Sequence, residues 1–142
     1  MIAASGARAS FGVRAVACAL FAIFCNCVAI ACELPGATVV DSPRYTLAWR
    51  IAPGEPQVGR HFSIDLAICS KAGIKPPDSV RVDAHMPEHR HGMNYRAVVV
   101  EQGQGHYRAE GLMFHMPGRW ELLFDLRGGG RTDRITSNVA LD

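Results

Sequence analysis

Acidic residues are missing from the first 31 positions, where Arg8 and Arg14 are the only charged side chains. That absence separates a leader from the rest of the 142 residues and places the formal net charge of +2 within it. After position 31, 13 Lys and Arg balance 13 Asp and Glu. A balanced chain lacks the basic face that offsets phosphate charge, which argues against a nucleic acid partner. Helical periodicity is missing as well, and so is a phosphate-binding glycine loop: Gly128-Gly129-Gly130 has no Lys-Ser or Lys-Thr after it and reads as a turn. No nucleophile elbow, reactive-cysteine motif or paired acid and base is detectable, so the expected role is non-enzymatic. At 49% hydrophobic and 20% charged residues the chain is neither collagen-like nor disordered, and its length suits one ordinary domain.

The leader carries an apolar run from Ala15 to Ala31 that ends in Ala29-Ile30-Ala31, the small-x-small pattern of a signal peptidase site. Residues 1–31 therefore read as a secretory signal, with an uncut anchor as the alternative, since a run begun at Phe11 approaches the length of a membrane span. Either way residues 32–142 are expected outside the cytoplasm, in the periplasm or on the outer face of a membrane. Three of the five cysteines belong to the leader, leaving Cys32 and Cys69. In an oxidising compartment two cysteines suggest one disulfide. Cys32 directly after Ala-x-Ala also resembles a lipoprotein signal, and lipidation would forbid that bond. Both readings stay open at this point, with membrane contact expected only through an uncut or lipidated leader. A mature start at Cys32 or Glu33 excludes a copper oxidase built on an N-terminal histidine.

Residues 32–142 form the expected domain. Tyr45, Leu47, Trp49 and Ile51 alternate with polar or small residues, the period of a half-buried strand. Phe62 to Ile68, Val80 to Met86, Val98 with Val100, and Trp120 to Leu126 repeat it. Residues 105–114 and 133–141 complete seven candidates, separated by turn signals at Pro53-Gly54, Pro76-Pro77, Gly103, Pro117-Gly118 and Gly128-Gly129-Gly130. Seven short strands at this spacing predict an all-β, immunoglobulin-like antiparallel sandwich, with an open barrel as runner-up. Trp49 and Trp120 are expected in the core and Tyr107 at a sandwich corner. The parity of Cys69 places it off the core or at a strand end, within reach of Cys32.

The functional signal is a concentration of methionine and histidine. Apart from the initiator, all four methionines and five of six histidines lie between positions 85 and 116. They form two groups, His85-Met86-Pro87-Glu88-His89-Arg90-His91-Gly92-Met93 and Met113-Phe114-His115-Met116-Pro117. Thioether and imidazole together suit copper, because soft sulfur favours Cu(I) and imidazole accepts Cu(I) and Cu(II). His89 and His91, two residues apart, project to one side of an extended segment, and Gly92 is expected to turn the backbone and return Met93. Met86 and Met113 also suit buried strand positions, where methionine is an ordinary filler. His61 and His106 read as structural or surface residues, Glu88 as a solvated turn residue. A further role open to His85 and His115 is to hold the two segments together by hydrogen bonds.

At these residues the chain resembles the YtkA-like domain family, small extracytoplasmic immunoglobulin-like domains related to the FixH-like proteins. The likeness is carried by Asp83-Ala84-His85-Met86-Pro87-Glu88-His89-Arg90-His91-Gly92-Met93, by Gly105-His106-Tyr107, and by Gly111 to Leu122 with its Met116-Pro117-Gly118-Arg119-Trp120 core. It spans about residues 40–141. The resemblance implies the sandwich and offers Met86, His89, His91, Met93, His115 and Met116 as metal ligands, in keeping with copper handling or respiratory-complex assembly. The chain lacks the clear uncut anchor of FixH-like members. Two functions are therefore expected: a copper-binding chaperone or buffer serving a copper-accepting envelope protein or membrane complex, or a metal-free interaction module in an envelope or respiratory assembly.

Overall fold

A computed structural model describes residues 32–142; the expected leader, 1–31, lies outside the described residues. Nine antiparallel strands follow one another with no helix among the described residues: β1 (Thr38–Asp41), β2 (Tyr45–Ala52), β3 (His61–Ser70), β4 (Ser79–Met86), β5 (His91–Gly92), β6 (Val98–Gly103), β7 (His106–Met113), β8 (Gly118–Gly128) and β9 (Arg131–Leu141). They make two sheets, β1-β2-β3-β7-β6 and β5-β4-β8-β9, and the sheets pack as the expected immunoglobulin-like sandwich. The seven expected strands are all present. The two additions, β1 and β5, are edge strands too short to show a period.

The alternation read from the sequence is what fills the interior. Tyr45, Leu47 and Trp49 from β2 and Ile64, Leu66 and Ile68 from β3 face Val82, Ala84, Trp120, Leu122 and Phe124 across the gap. Burying an aromatic side chain such as Trp120 withdraws roughly 200 Å² from water, an upper bound of about 5 kcal/mol. Tyr107 is buried as expected, and that burial pushes its phenol up, with Glu101 and Tyr45 adding to the effect.

Two expected parities are reversed. Phe62 pairs with Leu112 but Ile64 pairs with Ala109, so β7 carries one extra residue at this point. Gly111 takes φ 83° there, and the bulge moves the inward parity from Tyr107 and Ala109 to Leu112 and Phe114. Met113 consequently leaves the core and is only half-buried. On β6 the run Val98-Val99-Val100 has no period of its own, so its pairing decides. Val99 opposes the buried Ala109 and turns inward, leaving Val98 64% and Val100 50% exposed.

The glycine turns behave as read. Gly129 and Gly130, at φ 60° and 76°, join β8 to β9, and Gln104 and Gly105, at 54° and 79°, join β6 to β7. Positive φ at both central residues defines the tight hairpin turn whose twist matches the strands. Cys32 is bonded to Cys69 with 5.6 Å between their Cα atoms. Cys69 lies near the end of β3, half-buried beside Thr46, where its parity placed it.

Candidate metal centre

The two Met/His segments meet at one end of the sandwich, and the local sequence explains how. β4 ends at Met86, and Pro87 has no N–H with which to continue the ladder. The chain reverses at once: the amides of His89 and Arg90 both donate to the Met86 carbonyl, at 3.2 and 2.9 Å. Arg90 takes the left-handed conformation at φ 56°, which costs a non-glycine residue about 1–2 kcal/mol. The sequence had assigned this reversal to Gly92, which instead lies in β5 opposite His85. Glu88 at the tip is exposed as expected, but it also pairs with Arg119 of β8 at 2.6 Å.

Returning along β4, His91 opposes Met86, and the Met93 amide donates to the Ala84 carbonyl at 3.1 Å. Directly opposed residues share a face, so His91 and Met93 lie on the inward side with the buried Met86 and Ala84. On the other flank of β4, one step beyond the His85–Glu121 pair, the same register sets Trp120 against Met86. Trp120, Met86 and His91 thus form a row across the inner face of the four-stranded sheet. Residues 114–117, which carry the chain from β7 to β8, bring His115 and Met116 over this row.

His91 is the hub. Its ring centroid lies 5.8 Å from His89, 5.0 Å from His115 and 5.8 Å from Trp120. His115 meets the indole edge-on at 5.3 Å, and Phe114 stacks on it at 4.8 Å. The Trp120 Nε1 donates to the Met116 carbonyl at 3.1 Å, fixing the loop that presents both candidate donors. Buried His115 Nδ1 has no hydrogen-bond partner, a property shared among the described residues only by Trp49 Nε1. Met93 and Met116 are half-buried against the core. Met86 is 0% exposed and takes the core reading. A Cβ on Gly118 would come within 2.7 Å of its methyl carbon, so the missing side chain there makes room for the Met86 end.

All six expected ligands therefore lie on segments that meet at this corner, and the imidazoles of His89, His91 and His115 are the side chains brought together there. The six differ in depth: His89 is exposed, His91, Met93, His115 and Met116 are half-buried, and Met86 is closed off. Among the described residues no three His, Cys, Asp or Glu side chains are grouped to hold a metal ion as they stand. A metal here has to use thioether sulfur or a turn of the exposed His89 ring. The other histidines lie elsewhere. His85 points to the outer face, 3.4 Å from Glu121, and joins β4 to β8. Glu121 lies outside residues 113–117, so this contact is not the expected hydrogen-bonded link between the two Met/His segments. His61 is exposed and packs edge-on against Tyr95 at 5.1 Å. Two participants were not read from the sequence. Trp120 was assigned to the core alone, and the partners of the Glu88–Arg119 pair have a sequence separation of 31, which leaves no local signal.

No curated protein matches the chain. A crystal structure of a DUF4426-family protein from Pseudomonas aeruginosa is similar with a TM-score of 0.49 and 12% identity, over 78% of this chain and 99% of that one. The YtkA-like family profile matches residues 47–124, more than half of the chain and the whole of the corner just described. The chain belongs to the YtkA-like family.

Proposed function

We propose that this protein is an extracytoplasmic copper-binding protein, a chaperone or buffer, that holds the metal in the His91 corner. In this reading His91 and His115, with the thioethers of Met93 and Met116, form the ligand set. His89 stands at the rim, and Met86 is the floor. The observation that carries the proposal is the convergence of the His89 and His115 rings on His91, with one imidazole nitrogen, His115 Nδ1, buried and unpartnered. Such an orphan costs about 1–3 kcal/mol, and a bound metal ion would recover it. The donor chemistry fits: sulfur and imidazole without carboxylate favour copper over calcium or magnesium. The Cys32–Cys69 disulfide supports an oxidising compartment. The role is binding rather than catalysis.

The test is a Cu(I) titration of the full chain against a competing chelator, with ascorbate as reductant so that the disulfide stays closed. One-to-one binding is expected, with affinity falling at least about tenfold in the His91→Ala, Met93→Leu variant. Absence of binding, or binding indifferent to the variant, sinks the proposal. The second reading, a metal-free docking module that engages an envelope partner, has one observation in its favour. The edge strand β6 presents Val98 and Val100 to solvent beside unpaired backbone groups. A Val98→Lys, Val100→Lys variant would then lose its partner while keeping any copper affinity.

A further inference from the structure

We infer that His89 is the exchange ligand of this corner, the donor through which copper arrives and departs and the one that an acceptor's soft donors displace. The inference rests on the copper reading and adds a direction to it.

The three imidazoles form a series in depth. His89 is exposed on the turn, His91 is half-buried on β5, and His115 is half-buried with its Nδ1 sealed from solvent. With a metal–imidazole bond of about 2 Å and about 1 Å more to the ring centre, two rings on one ion have centroids at most about 6 Å apart. The pair His89–His91, at 5.8 Å, and the pair His91–His115, at 5.0 Å, both meet that limit. His91 is common to the two. His91 could therefore share an ion with His89 or with His115, and exchanging the His89 donor for the His115 donor would leave the bond to His91 in place. The copper keeps its charge throughout, and each imidazole donates as the neutral ring. Release is the reverse, ending with an acceptor's sulfur in place of His89.

The turn is built to keep His89 beside His91 without covering it. Two amide bonds to the Met86 carbonyl and the Glu88–Arg119 pair anchor its backbone, and none of them involves the His89 ring. An anchored backbone with a free ring is what ligand exchange requires: the donor stays in reach, and only its torsions move.

The experiment is stopped-flow transfer of Cu(I) between the full chain and a chromophoric chelator, in both directions, for wild type, His89→Ala, His89→Met and His91→Ala. In His89→Ala, uptake and release are expected to slow together by at least about tenfold, so that affinity, their ratio, falls less than about threefold. His89→Met, which restores a soft donor on the exposed turn, is expected to recover most of the rate. His91→Ala loses affinity instead. His89→Ala with wild-type rates, or with an affinity loss equal to that of His91→Ala, overturns the inference and leaves the copper reading intact. No binding by wild type overturns both. Far-ultraviolet circular dichroism of each variant confirms the fold, which an exposed side chain does not hold together.

Discussion

Gly105 and Gly118 share a left-handed backbone, at φ 79° and 122°, but a methyl group added to each meets a different obstacle. At Gly105 it lies 2.6 Å from the Ile68 carbonyl oxygen, and at Gly118 it lies 2.7 Å from the end of the flexible Met86 side chain. The Ile68 carbonyl belongs to a strand whose amide is bonded to the Gly105 carbonyl at 2.8 Å, so it has little room to retreat. The Met86 methyl can rotate. Both substitutions pay the conformational strain of about 1–3 kcal/mol, and only Gly105→Ala adds a backbone clash. Urea midpoints are expected to fall further for Gly105→Ala than for Gly118→Ala, and the reverse order would show that the packed Met86 is less yielding than its chemistry suggests. The candidate donors were legible at this scale because their residue types are rare and crowded together. Their depths were not, since depth depends on β5, a two-residue strand with no period, and on Arg90 taking the left-handed turn in preference to Gly92. Trp120 was legible only as a core residue: its contact with His91 joins segments that are distant in sequence.

The β8–β9 hairpin shows how an element gains pH dependence. Asp125 opposes Arg134 in the register, and the guanidinium meets both carboxylate oxygens, at 2.7 and 2.8 Å. That hydrogen bonding, more than the accompanying charge, holds the Asp125 carboxyl below its ordinary value against the opposing effect of burial. A carboxylate depressed in the folded state adds stability above the unfolded value, near pH 4, and loses it as pH falls through the lower folded value. Arg134 is largely exposed, so the contribution is modest, about 1 kcal/mol or less. Asp125→Asn is expected to lower the unfolding free energy by that amount at pH 7 and to converge on wild type as pH falls through the lowered folded value of Asp125, where the wild-type carboxylate becomes protonated. Equal differences above and below that value would assign the loss to packing instead. The same scale shows why strand existence was easier to read than strand parity. β2, β3, β4 and β8 alternate clearly, and their inward residues follow the period. In β7 the bulge at Gly111 resets the count between Ala109 and Leu112, moving Met113 off the core, and a bulge has no signature beyond the glycine itself. In β6 three consecutive valines satisfy either parity, and the choice falls to the partner strand.

Across the whole molecule, the disulfide and the candidate metal corner occupy opposite ends of the sandwich. β3 spans the distance: His61 pairs with Met113 at the corner end, and Cys69 pairs with Thr46 at the other. Eight residues of strand separate them by roughly 25 Å. The Cys32–Cys69 bond closes a loop across a sequence separation of 37, and restricting the unfolded chain in this way is worth about 4 kcal/mol on the loop-entropy model, within a usual range of about 2–4 kcal/mol. That is a large share of the stability of a domain this size, which is on the order of 5–15 kcal/mol. None of it acts through the corner, because the disulfide touches neither the β4–β5 turn nor residues 114–117. The Cys32→Ser, Cys69→Ser variant is therefore expected to lose about 2–4 kcal/mol in denaturant titration while its Cu(I) affinity, measured where it remains folded, matches wild type. A matching loss of affinity would mean that the corner depends on order transmitted along β3, and the two ends would then have to be treated as one cooperative unit. Unchanged affinity would mean that the disulfide secures the fold, while the candidate metal corner is set by the register of β4, β5 and β8 alone.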